Sequence, residues 1–205
     1  MKNEKTRRLA EYSLFMAIIF ALGLMPFGGY IPLPWANITI LHIPVIVGAA
    51  LFGVDGGIAL GAAFGITSVI RCFTFPDAIA SIILGAGSTW KTILFMLLIL
   101  VLPRVLVGIA GGLIPTLFKS QKPYKYIVSS VVASVTNSVL VLGALAYLAY
   151  SQVATVLDVD AALSTVLTAL FSLNALNIIF EAIAAAIICP AIIAAINALR
   201  NRHPK

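Results

Sequence analysis

The sequence predicts an all-α integral membrane protein with six transmembrane helices and both termini in the cytoplasm. Three observations carry that expectation. Of 205 residues, 61% are apolar and only 10% are charged, whereas a soluble domain carries roughly a quarter charged residues. The apolar residues gather into stretches that approach the roughly 20 residues a helix needs to cross a bilayer. The basic residues cluster at positions that six crossings bring to one face.

The first span is expected at 12–27, after a basic start at Met1–Arg8. A cleaved secretory signal is the alternative. Pro26 and aromatic residues follow the stretch where a small-residue cleavage site would be needed, so a retained helix is expected. The next segment, Gly28-Gly29-Tyr30-Ile31-Pro32-Leu33-Pro34-Trp35, cannot stay helical and makes a first outer loop. A second span at 38–53 ends at the turn Gly53-Val54-Asp55-Gly56-Gly57, and a third covers 57–70. Residues 71–88, with Pro76 and Asp77, read as a long loop with room for a short helix. The fourth span lies within 90–118, which exceeds what a bilayer requires. The fifth is expected at 126–150 and the sixth at 163–199. Residues 1–205 form a single membrane domain.

A net charge of +6 would point to nucleic acid in a soluble chain. Here it points to orientation, because basic residues collect on the cytoplasmic side. Lys2, Lys5, Arg7, Arg8, Lys119, Lys122, Lys125, Arg200, Arg202 and Lys205 make ten of the 13 Lys and Arg. Six spans put all ten on one face; five or seven would scatter them. Arg71 and Lys91 fall on the other side, with acidic Asp77, Asp158 and Asp160.

Lipid gives helices no hydrophobic reason to associate, so close packing through small residues takes over. Gly57, Gly61 and Gly65 form one such stripe, Gly108 and Gly112 a second, Ala17 and Ala21 a third. Packing inside the bundle accounts for the glycines. Ala17 and Ala21, on a first helix that often lies at a bundle's edge, also fit a surface offered to another protein.

Polar groups at membrane depth are functional candidates by default. Arg104 lies roughly 21 Å from Lys119 along a helix, too deep for easy snorkelling, and the adjacent Pro103 loosens its helix. Ser130, Ser134 and Asn137 share one helix face, and Asn174, Asn177 and Glu181 share another. Arg104, Asn137 and Asn177 are expected to meet near mid-membrane around a polar pocket open to the outside. Arginine there favours a carboxylate or phosphate, because its guanidinium is a planar fork of donors. A structural pair between Arg104 and Glu181 is the competing reading. Tyr30, Trp35 and Trp90 sit at the outer boundary, either as an interfacial belt or as cover for a solute. His42 is expected to be a satisfied histidine at a helix start.

Cys72 and Cys189 are too few and too far apart for a disulfide framework or a metal knuckle. The sequence holds no phosphate-binding loop, Ser/His/Asp arrangement or metal-ligand cluster. An enzyme is therefore not expected, nor a cofactor held by this chain. Its halves show no obvious repeat of the kind many secondary transporters carry, so a transport role needs energy from elsewhere. A solute-free membrane scaffold is the alternative function.

Several motifs occur together in order. Ile40-Leu41-His42-Ile43-Pro44 leads to Gly48 and Leu51-Phe52-Gly53. The glycine-spaced third helix follows, then Pro103-Arg104 before Gly108, then Thr136-Asn137. Asn177 to Glu181 leads into an alanine-rich run to Pro190. This series resembles the S components of energy-coupling factor (ECF) vitamin transporters over nearly the whole chain. The resemblance implies a substrate-capture subunit of a bacterial cell membrane. Its partners would be a transmembrane coupling (T) component and two cytoplasmic ATPases that use ATP. It implies that Ala17 and Ala21 dock the coupling component. It also implies a binding pocket among the outer loops and the outer ends of helices four to six. The implied substrate-binding set is Arg104, Asn137, Asn177, Asn174, Trp90, Trp35, Tyr30 and Thr136. Pro103-Arg104 with Thr136-Asn137 looks most like the pantothenate type. Pyridoxine, thiamine-precursor and folate S components share much of the pattern.

Overall fold

The computed structural model describes residues 2–26, 28–32, 37–118 and 123–202. Helix α1 (Lys2–Leu24) starts ten residues before the apolar stretch that announces it. Hydropathy cannot see the extension, but Lys, Glu, Arg, Leu and Ala between residues 2 and 10 are good helix formers. It stops two residues before Pro26, as the restriction on residues preceding proline requires.

The first correction to the all-α expectation follows at once. Strands β1 (Tyr30–Pro32) and β2 (Asn37–Thr39) form an antiparallel hairpin, pairing Tyr30 with Thr39, Ile31 with Ile38 and Pro32 with Asn37. Glycine and proline bar helix on the near side, while Tyr, Ile and Thr suit a pleated surface. Strands of three residues are too short for any periodicity to reveal. Ile38 and Thr39, expected to open the second span, therefore belong to β2, and α2 (His42–Phe52) begins three residues later. Its 11 residues rise only about 16 Å. Gly53 adopts φ 84°, open to glycine at no steric cost, and turns the chain into α3 (Val54–Thr74).

Beyond α3 the predicted loop contains a short helix, α4 (Ala78–Leu84), capped by Asp77, whose carboxyl accepts from the Ala80 N–H at 2.9 Å. The fourth predicted span is three pieces: α5 (Thr89–Phe95), a π-helical turn (Met96–Val101) and α6 (Leu102–Leu117). Helix α7 (Tyr124–Leu148) gives way at Ala149 to α8 (Tyr150–Leu157), a helix the sequence reading did not separate. Helix α9 (Leu163–Arg202) closes the chain. Among the described residues, four helical stretches can cross a membrane by length and composition: residues 54–74, 89–117, 124–148 and 163–200.

One end of the bundle carries the start of α1, the α2–α3 turn and the end of α9. Arg8 donates to the Phe52 carbonyl at 3.2 Å, and Glu11 pairs with both Arg200 and Arg7. The hairpin, α4 and α8 lie at the opposite end. Two apolar clusters divide the interior accordingly. One gathers Ile46, Phe64, Val107 and Ile193; the other gathers Ile83, Ile99, Leu145 and Val166. Between them, α3 lies directly on α6. A Cβ on Gly57 would strike the Gly108 carbonyl, and one on Gly61 the Arg104 carbonyl, so the glycines work as close-packing residues.

Candidate functional site

A cavity of about 210 Å³ lies in the hairpin half, walled by α3, α4, α6, α7, α8 and α9 and bordered by both strands. Its polar lining comes from elements far apart in sequence. Helix α6 contributes Arg104, α7 contributes Asn137 and Ser138, and α9 contributes Asn174, Asn177 and Glu181. Tyr30 and Thr39 come from the hairpin, and Ser68 and Arg71 from α3. Its apolar wall includes Val153, Val156 and Leu157 of α8, spaced i, i+3, i+4 on one face.

Arg104 is 7% exposed. One guanidinium nitrogen donates to the Ile99 carbonyl at 2.7 Å, and Cζ lies 5.3 Å from the centre of the Phe64 ring. Glu181, 3% exposed, does something different from pairing with it. One carboxyl oxygen accepts from the Thr39 backbone N–H at 2.6 Å and the other from the Ser138 hydroxyl at 3.2 Å. Asn177 hydrogen-bonds the same group. Among the described residues no ion pair joins Arg104 to Glu181. The carboxyl instead ties β2 to α7 and α9.

A second set of contacts holds the other strand. Ser68 donates its hydroxyl proton to the Phe64 carbonyl at 2.9 Å, so the Tyr30 hydroxyl, 3.2 Å away, is the donor in their contact. Arg71 lies 4.2 Å from the Tyr30 ring centre, within cation–π range. It also donates to the Met25 and Pro26 carbonyls at 3.3 and 3.2 Å. The hairpin is thus pinned at both strands over one edge of the cavity.

Of the residues singled out from sequence, Arg104, Asn137, Asn174, Asn177 and Tyr30 surround this one cavity. Thr136, next to Asn137, is off the lining because successive helical residues point about 100° apart. Trp90 is 72% exposed on α5 and does not border it. Trp35 lies outside the described residues, as do Lys119, Lys122 and Lys205. Ala17 and Ala21 are exposed on α1, while Phe15 and Ile19 of the same helix are buried. His42 opens α2 and is 1% exposed, with its ring against the Thr39 and Glu181 backbone. The reading missed Thr39, Ser68, Arg71, Asp77, Ser138 and α8. Ser138 was findable beside Asn137 and Asp77 as a cap. Thr39 joins the site through its backbone, which leaves no mark on a sequence.

A family model described as "ECF transporter, substrate-specific component" matches residues 7–194. The chain belongs to this family. The motif series from Ile40 to Pro190 pointed there, and membership makes the chain a transporter subunit and not an enzyme. It is 32% identical over 117 residues to the pantothenate transporter PanT of Leuconostoc mesenteroides, an alignment covering 55% of this chain. That match spans about half of the relative, 52% of its length. It is 28% identical over 212 residues to the pantothenic acid transporter PanT of Lactococcus lactis subsp. cremoris, covering 98% of this chain and 99% of that one.

Proposed function

We propose that this ECF substrate-specific component captures pantothenate in the hairpin-half cavity for inward transport. The observation that carries the reading is the combination of one buried arginine with three asparagines around a small cavity. A carboxylate matches the Arg104 fork, and hydroxyl and amide groups match Asn137, Asn174 and Asn177. The volume, about 210 Å³, falls below the roughly 300–1,000 Å³ usual for drug-sized ligands. That favours a short flexible vitamin over the fused ring of folate. Both PanT relatives carry pantothenate in their names.

In this reading the chain crosses the membrane six times, through α1, α2, α3, α5–α6, α7 and α9. The basic end faces the cytoplasm and the cavity end faces outward, in keeping with the positive-inside rule. The exposed Ala17 and Ala21 receive a T component, and two partner ATPases supply the energy that this chain has no residues to harvest. The chain itself holds no cofactor.

The test is to identify by mass spectrometry what co-purifies with the detergent-solubilised chain, then to titrate it calorimetrically with pantothenate, pyridoxine, thiamine precursors and folate. Saturable binding of pantothenate above the others is expected. Preferential binding of another vitamin transfers the site to that solute. Binding of none leaves the solute-free scaffold and overturns the proposal.

A further inference from the structure

Arg104 owes its position to the residue before it. In a regular α ladder the Ile99 carbonyl accepts from the N–H four residues on, at position 103. Proline there has no N–H. The ladder is already out of step at this point, since the Leu102 N–H reaches five residues back to the Leu97 carbonyl, the π register. The Arg104 side chain donates to that Ile99 carbonyl at 2.7 Å. One arm of the guanidinium is thereby held against its own helix and the group rests near Phe64. Its Nε is buried with no partner among the described residues, and the side chain borders the cavity.

We propose that Pro103 is a positioning residue for ligand recognition. By deleting one backbone donor it opens a docking point that fixes Arg104, and so sets the cavity's preference for an anion. The proposal rests on the reading that Arg104 meets the ligand's carboxylate. Arginine has many rotamers, and ordering it in advance of binding spares that cost when the ligand arrives. An N–H restored at position 103 lets the ladder close there in the α register, where it reaches the Ile99 carbonyl and competes with the side chain for its anchor.

The experiment uses the full chain in detergent, titrated with pantothenate and with pantothenol, whose neutral alcohol replaces the carboxylate. Arg104→Ala is expected to weaken pantothenate at least about tenfold, the loss of a charge-assisted bond, and pantothenol less than about twofold. Pro103→Ala and Pro103→Ser are each expected to weaken pantothenate about three- to tenfold with pantothenol nearly unchanged. Neither adds to the loss in an Arg104→Ala background. Their thermal midpoints are no lower than the parent's, because both restore a helix donor. Parental pantothenate affinity in both position-103 variants, with Arg104→Ala still impaired, overturns the positioning role alone. Equal losses for both ligands, or losses that add to Arg104→Ala, also overturn it, since they mark a role in the fold. Unchanged pantothenate affinity in Arg104→Ala removes the anion reading and this proposal together.

Discussion

The same two helices behave oppositely at the two ends of the molecule. In the basic half, α3 and α6 touch backbone to backbone, with Gly57 on Gly108 and Gly61 on the Arg104 carbonyl. Toward the hairpin, α3 turns Ser68, Arg71 and Cys72 toward open space, and α6 passes through Pro103 into the π turn. Side chains are absent where the helices must not move and polar where room must be kept. The difference teaches how such a chain makes a cavity without a hydrophobic drive to close it. A rigid seam carries the packing, and a broken helix above it provides the space. The two halves therefore tolerate change differently.

The comparison breaks most severely at the seam. Gly108→Leu puts a branched side chain against the Gly57 backbone and is expected to cost about 3 kcal/mol or more, at or beyond the upper range for overpacking. Thermal unfolding in detergent measures it, and a midpoint like the parent's would show that the seam yields. The next effect belongs to the cavity end. Glu181→Ala removes the acceptor that holds the Thr39 N–H of β2, along with the one that holds the Ser138 hydroxyl of α7, leaving a buried N–H unmatched at about 1–3 kcal/mol. Faster pantothenate release, by roughly tenfold, is expected in a stopped-flow chase. An unchanged release rate with lower stability would make the tie purely structural. The smallest effects on binding lie outside both regions. Trp90→Ala, and Ala17→Phe combined with Ala21→Phe, alter exposed positions. Each is expected to leave pantothenate affinity within about twofold, inside the ±0.5 kcal/mol usual for surface changes. The alanine pair is expected in addition to abolish capture of the chain by its coupling component in a pull-down, and undisturbed capture would move the docking surface elsewhere.

Much of this was legible one residue at a time. Helical crossings show in hydropathy because a bilayer demands long apolar runs. Arg104, Asn137, Asn174 and Asn177 stood out because polar groups are costly at that depth. Close packing of α3 on α6 could be read from glycines four apart. The hairpin could not, since strands of three residues carry no period. Nor could α8, an amphipathic turn hidden behind a single break at Ala149. Trp90 stayed open between two readings because an aromatic near a boundary looks the same in sequence whether it covers a solute or faces lipid.

The sequence by itself determined the solvent, the helical frame, the family and part of the polar lining of the cavity. Which of those residues bond to one another was decided only by the tertiary structure. Arg104 and Glu181 look like an obvious pair when listed, yet one holds a carbonyl of its own helix and the other a strand 142 residues away in sequence. The physical reason is that backbone groups choose these partners. The Ile99 carbonyl beside Arg104 and the free N–H of Thr39 beside Glu181 come into place only once helix and hairpin have formed, and buried backbone groups must be satisfied where they stand.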